Sequence, residues 1–448
     1  MERPLKQTWL VAAFGAAACA LGAHVGADAR WLAAIGSAIF NTHAVPHSIP
    51  YASAPNFAWH DAPALGQLIF HALETLFGDR GLILAQVVAV AIALAAVAFD
   101  LGRAGAREGA GAGVIAACVV AVPASFFVAR AELFSLALFP VLVALLREED
   151  RRMSRRIWLV VPLLALWANL HGGALLGFLV LAAYLVFERA PRDPLGAWFV
   201  LLASAAALVA TPSLLETVDY YSGVLHGKAA AGHYGLWARL SFSDPLDVLL
   251  VAIAVPLVFA ALRRRPKAWQ VVVLLALCAL TVNAHRNGLW LVLFAATPAA
   301  RAFGYSNAQP WLSRRPALIC FCVPAAMLAL GFSRPVAIDG ASEPLLRRAA
   351  TLADGSPILA EPVAAEQLAL RGDRIWIGNP IDAFTPRDQF LYLEWLRGRP
   401  DGDQVLRGPP RVVVAERGSP AQRRLAVSES FRELARDAHA VLYTRRSR

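Results

Sequence analysis

The chain has 448 residues, 58% of them hydrophobic and only 17% charged, with a mean hydropathy of +0.53; this composition belongs to the membrane class and excludes an ordinary soluble globular protein. A net charge of +10 would suit nucleic acid, but the arginines stand in blocks beside apolar runs, as in cytoplasmic loops of membrane proteins, which excludes nucleic acid as a partner. The five cysteines all lie inside apolar runs, none at metal-ligand spacing from a histidine, and argue for neither redox chemistry nor zinc.

In chain order, apolar runs long enough to cross about 30 Å of hydrocarbon at ~1.5 Å per residue fall near 8–26, 80–100, 110–128, 133–146, 157–170, 172–187, 196–212, 246–262, 268–283, 288–302 and 316–333. They predict an all-α polytopic membrane bundle of about eleven transmembrane helices. The N-terminal run, ending in Ala27-Asp28-Ala29, has the outline of a signal peptide, yet ten further spans need no cleaved leader. With the N-terminus inside, the inner loops collect eighteen Lys and Arg residues, and the outer segments before residue 334 collect six. That bias predicts two hairpins with outer tips, one at Asn169–Gly173 and one at Asn283–Asn287, because each is flanked by arginine blocks on one side of the membrane. All ten histidines then fall on the outer side or at its edge, either because amphipathic side chains favour interfaces or because the outer loops build a polar cavity.

From residue 334 the charged residues become frequent and the apolar runs shorten. Strands are expected at Pro357–Leu359, Arg374–Ile377, Arg411–Val414 and Ala440–Tyr443, with helices at Gln389–Gly398 and Ala421–Asp437. The predicted organisation is a transmembrane domain over 1–335, with outer loops 27–79 and 213–245, followed by a small extracytoplasmic α/β domain over 336–448.

Candidate chemistry concentrates in the first outer loop. The WLAAIGSAIF stretch after Asp28 has helical apolar spacing, so it can lie along the outer membrane surface and hold Asp28 at a helix–loop junction, a suitable place for a general base or metal ligand. Asp61, in Trp59-His60-Asp61-Ala62-Pro63, is a second candidate; an Asp just before Pro is also an ordinary helix start. Arg130 and Glu132 flank an outer turn: Arg suits a phosphate, or it snorkels and pairs with Glu132. At the hairpin tip, Asn169 and His171 precede Gly172-Gly173, where glycines let a backbone approach a ligand. Acids, aromatics and His in the segment 213–245 suit sugar binding or a plain amphipathic surface helix.

Phe134-Ser135 after an Arg, the run Leu166-Trp167-Ala168-Asn169-Leu170-His171-Gly172-Gly173 and the His285-Arg286-Asn287 hairpin resemble a broad bacterial group of polytopic proteins related to GT-C-type membrane glycosyltransferases. The resemblance runs through nearly the whole chain. In that group the first outer loop typically opens with Asp-x-Asp-x-Trp-Trp-His and continues through Val-Pro-x-x-x-Pro-Tyr/Phe to Trp-x-x-His-Glu-Trp. Here Gly26-Ala27-Asp28-Ala29-Arg30-Trp31 keeps the second Asp and one Trp, and Val45-Pro46 through Pro50-Tyr51 is kept well. Trp59-His60-Asp61-Ala62-Pro63-Ala64 keeps the first Trp but has Ala-Pro where His-Glu is usual.

The resemblance implies an inner-membrane enzyme that takes a sugar from a polyprenyl-phosphate carrier and passes it to an extracytoplasmic lipid, polysaccharide or protein acceptor. It also implies an Asp of the first loop as base or metal ligand, and Asp28 and Asp61 are the candidate catalytic carboxylates. Arg130, Glu132, Asn169, His171, Arg286, Trp59 and His60 would bind substrate, and a divalent metal is left open because one Asp stands where the group has two. A catalytically silent scaffold of the same fold is the alternative. A transporter is disfavoured because the middles of the eleven runs carry no ionisable residue.

Overall fold

A computed structural model describes residues 7–26, 28–56, 59–226, 231–233, 237–303, 314–334, 336 and 340–446. Its contacts divide the chain into two units, one of 1–23, 83–211 and 236–335, the other of 24–82, 212–235 and 336–448.

The first unit is helical. Each of the eleven apolar runs contains a helix, from Gln7–Gly22 to Arg314–Ser333. By length and apolarity, Asp79–Arg103 and Pro245–Arg263 alone suffice to cross a membrane among the described residues; the others are shorter or carry more charge. The run 157–187 is two helices, Val160–Leu170 and Ala174–Tyr184, parted where His171 turns extended at φ −164° and ψ 142°. The two are packed tightly: a Cβ on Gly177 would come within 2.5 Å of the Trp167 ring, so only glycine fits there. The run 268–302 divides likewise into Ala268–Asn283 and Gly288–Ala302 around a single 3₁₀ turn at His285–Asn287.

Charge is concentrated at a few places in this unit. Arg147, buried in the Leu133–Arg151 helix, donates to Asp100 Oδ2 (2.6 Å) and to the Phe294 carbonyl (2.6 Å). Arg151 reaches the other Asp100 oxygen at 2.7 Å. Lys267 meets both Asp150 (2.6 Å) and Glu188 (2.7 Å). A buried charge is costly without its partner, so the buried Arg147–Asp100 pair ties the Leu133–Arg151 helix to Asp79–Arg103. Large apolar side chains such as Phe199, Leu202, Val255, Phe259 and Leu275 remain exposed.

The second unit has a four-stranded sheet in the order Ile358–Ala360, Val412–Glu416, Ala440–Arg445, Phe431–Arg436, its first pair parallel and the other two antiparallel. Two expectations fail here. Arg374–Ile377 forms no strand but makes isolated bridges through Ile375 to Ala52 and Ile358. Ala421–Asp437 is helical only over Pro420–Ala426, while Phe431–Arg436 is an edge strand. Its local sequence favours helix, but pairing with Ala440–Arg445 decides otherwise, since tertiary context overrides propensity. Helices Glu343–Ala353 and Pro362–Leu370, not expected from the sequence, pack on this sheet.

The first-loop residues share this core. Trp31, Ile35, Ile39, Ile49 and Trp59 cluster with Leu345, Leu368, Val413 and Tyr443. The helix Ala29–Thr42 packs against Ala64–Phe77 and Pro362–Leu370, so protein covers the apolar stripe expected to lie on the membrane surface. Gly36 makes the crossing possible, because a Cβ there would stand 2.1 Å from the Gln67 carbonyl oxygen.

Candidate active site

The expected site residues fall into two sets, one in each unit. In the second unit Asp28 occupies the N-cap position of Ala29–Thr42, yet its side chain makes no cap hydrogen bond and its backbone stands at φ 84°. An Asp at this position ordinarily caps its own helix, and positive φ is uncommon for any residue with a Cβ. Instead the carboxylate is turned aside: Asn379 Nδ2 donates to Asp28 Oδ1 at 2.7 Å.

The Asp28 N–H donates to Glu366 Oε1 at 2.6 Å, and Asn379 Nδ2 also reaches that oxygen at 3.1 Å. Glu366 is 1% exposed, and its Oε2 has no partner. Burial first, then the neighbouring Asp28 carboxylate, hold the Glu366 carboxyl well above the usual range. Trp31 packs on Gly378, where a Cβ would meet the ring at 2.8 Å, and so seats the Gly378-Asn379 backbone beside Asp28. Arg30 pairs through two bonds with Asp79 (both 3.1 Å) and leaves its buried Nη1 without a partner.

Asp61 is 2% exposed. It does not cap the helix Ala64–Phe77, whose N-cap is Pro63; it accepts from Gln67 Nε2 at 2.8 Å. Burial pushes its carboxyl up to about 7, against a smaller opposing effect of the Gln67 bond. Asp61 Oδ2 and Gln67 Oε1 are both buried and unpartnered. The Asp61 carbonyl accepts from Ser213 Oγ (2.9 Å), His60 Nδ1 lies 2.9 Å from Glu216 Oε2, and Trp59 is buried.

In the first unit His171 is the centre of a relay. Trp167 Nε1 donates to Ser135 Oγ at 2.7 Å, which leaves the Ser135 O–H to donate to His171 Nδ1 at 2.6 Å. The Gly173 N–H donates to the same nitrogen at 3.0 Å. With Nδ1 accepting, the ring proton sits on Nε2. Burial and, second, the Arg286 charge push the imidazole down to about 3, so it is neutral at pH 7 and offers an Nε2–H donor. Gly173 serves differently from expectation. The Gly173 N–H is taken by His171, and a Cβ at Gly173 would stand 2.3 Å from Ser135 Oγ, so packing rather than ligand access requires that glycine.

Asn169 is likewise occupied, donating to the Ala165 and Ala210 carbonyls at 2.8 and 2.7 Å. Arg286 lies over the Trp237 ring, 5.2 Å from its centre. Arg130 does not pair with Glu132: Arg130 Nε and Glu132 Oε1 are buried polar atoms without partners. Beside this set His285 Nδ1 meets the buried Asp247 Oδ1 at 2.8 Å, at the edge of a 490 Å³ cavity lined also by Ser241 and Ser243. Among the described residues no three His, Cys, Asp or Glu side chains gather as a metal site would require.

Sequence reasoning missed Glu366, Asn379, Ser135 and Trp167 as site residues. Glu366 had a signal: it is the one charged residue in the run Pro362–Leu370. Ser135 and Trp167 lay inside recognised motifs, but nothing local tied either to His171.

No family model matches the chain, and no curated protein does. Among solved structures, the arabinofuranosyltransferase AftD from Mycobacteria superposes with a TM-score of 0.54 at 17% identity over 99% of this chain. The chain spans 42% of that protein's length. ArnT from Cupriavidus metallidurans bound to undecaprenyl phosphate superposes at 0.52 and 15% identity, with 97% of both chains covered. Its apo form gives 0.50 at 16%, covering 97% of this chain and 95% of that one. The fold is therefore that of the GT-C glycosyltransferases.

Proposed function

We propose that this protein is a multi-pass membrane glycosyltransferase that moves a sugar from a polyprenyl-phosphate carrier to an extracytoplasmic glycan, lipid or protein acceptor. The fold supports the reaction class, and the undecaprenyl phosphate bound to ArnT supports the carrier. The exposed apolar faces of the helices suit lipid, since an apolar surface of that extent is costly in water. The arginine bias of the loops supports an inside N-terminus and an extracytoplasmic second unit.

One observation carries the mechanism: Asp28 sits where an Asp would cap its helix and does not. Its carboxylate is free of that duty and held by Asn379, as a general base must be held. In the proposed reaction the acceptor hydroxyl attacks the anomeric carbon, its proton passes to Asp28, and the bond to the carrier phosphate breaks. The phosphate leaves as the anion. Within the first unit, Arg286, Arg130 and the Nε2–H of His171 are groups able to bind a phosphate. The burial of Asp61 argues that it supports the first loop rather than touches substrate.

Asp28→Asn is expected to remove transfer from an undecaprenyl-phosphate-linked sugar while leaving the yield and melting of the protein unchanged. Full turnover by that variant would overturn the assignment of the base and favour a silent scaffold.

A further inference from the structure

The group that this chain resembles carries two aspartates at the start of the first outer loop, and here Gly26 stands in place of the first. The second unit brings a different carboxyl to Asp28, from 338 residues away. Glu366 is the sole acid of its helix, is almost wholly buried and spends one oxygen on the Asp28 N–H and on Asn379. Asn379 bridges the two side chains with a single amide nitrogen. Among the described residues the remaining oxygen, Glu366 Oε2, has no partner, and a buried carboxyl oxygen left so costs less neutral than charged.

We propose that Asp28 and Glu366 form a carboxyl pair that holds one proton at neutral pH, with Glu366 keeping the proton and positioning Asp28 as the ionised member. This rests on the reading of Asp28 as the base and adds its positioning residue. Two carboxylates that share one amide donor in a buried place cannot both ionise cheaply. Among the described residues the cation acting on the pair is Arg30, and it is paired with Asp79. A neutral Glu366 therefore leaves the negative charge on Asp28, where an acceptor hydroxyl can use it. Its hydrogen bond to the Asp28 N–H also holds the backbone at φ 84°, which points the side chain away from its own helix.

Difference infrared spectroscopy of the full-length protein in detergent tests this without a substrate. The wild type is expected to show a protonated-carboxyl band that persists at neutral pH and titrates away only above the ordinary carboxylate range. Glu366→Gln, which keeps the accepting oxygen, should diminish that band while the protein stays folded. Asp28→Asn leaves Glu366 in place and should shift the same band to lower pH, because the repelling charge is gone. Asp61 and Glu361, both raised to about 7, also contribute at neutral pH, so a wild-type band no larger than that of Glu366→Gln, or a titration unmoved by Asp28→Asn, overturns the pair. In the transfer assay Glu366→Gln should keep measurable kcat with an altered pH profile and unchanged KM, whereas an unaltered profile counts against the positioning role. Turnover by Asp28→Asn would instead remove the base assignment and leave the infrared result standing.

Discussion

Asp61→Asn offers a quantitative test of how the first loop is held. The Asp61 carboxyl is raised from its ordinary 3.8 to about 7 by burial, so the folded state binds a proton there more tightly than the unfolded chain does. Stability from this group is complete below about pH 4 and is lost as pH rises toward 7. Three units at 1.36 kcal/mol each give a loss of about 4 kcal/mol overall, of which about 3 kcal/mol falls between pH 5 and pH 8. The amide of the variant does not titrate. It can accept from Gln67 Nε2 as the carboxylate does, and its NH₂ can reach Gln67 Oε1, now a buried acceptor without a donor. Asp61→Asn should therefore gain about 3 kcal/mol on the wild type between pH 5 and pH 8. Melting followed by tryptophan fluorescence at both pH values measures it; Glu361, also raised to about 7, contributes equally to both proteins and cancels. Parallel pH dependence of the two proteins would refute the account of a buried, proton-bearing Asp61.

The histidine relay predicts that His171→Ala weakens undecaprenyl phosphate binding by about 1–3 kcal/mol, the value of a lost hydrogen bond to a charged group. Ser135→Ala should weaken it less, and should add nothing in the His171→Ala background, since Ser135 acts through the ring; additive losses in calorimetric titration would count against the relay. An alkaline phosphatase fused at Ala350 is expected to be active, and an inactive but well-expressed fusion would reverse the orientation. These join the Asp28 and Glu366 variants described above.

The helices were legible because hydropathy is a local property: each apolar run announces itself within its own window, and the arginine blocks divided 157–187 correctly into two. The sheet was less so. Phe431–Arg436 carries no strand pattern that survives without its partner Ala440–Arg445, and Arg374–Ile377 reads as a strand from its β-branched isoleucines although it joins the sheet only through a single bridge from Ile375 to Ile358. At the site, Asp28 was visible as an isolated acid at a helix–loop junction. Its surroundings were not, because Glu366 and Asn379 lie 338 and 351 residues away and no spacing rule connects them. Gly172-Gly173 was read for openness when Gly173 answers to the volume of Ser135, a constraint that only packing reveals.

The core shared by residues 31–64 and 341–443 sets a schedule for synthesis. At about 5–20 residues per second, Asp28 leaves the ribosome roughly 20–70 seconds before Glu366 does. Throughout that interval the first loop has left the ribosome with Trp31 and Ile35 lacking the helix that will cover them. A chain stopped before Pro362 would keep every apolar run and insert normally, yet would never assemble the carboxyl pair. Completion of the Asp28–Glu366 pair thus waits on residues 362–379, made long after Asp28 itself.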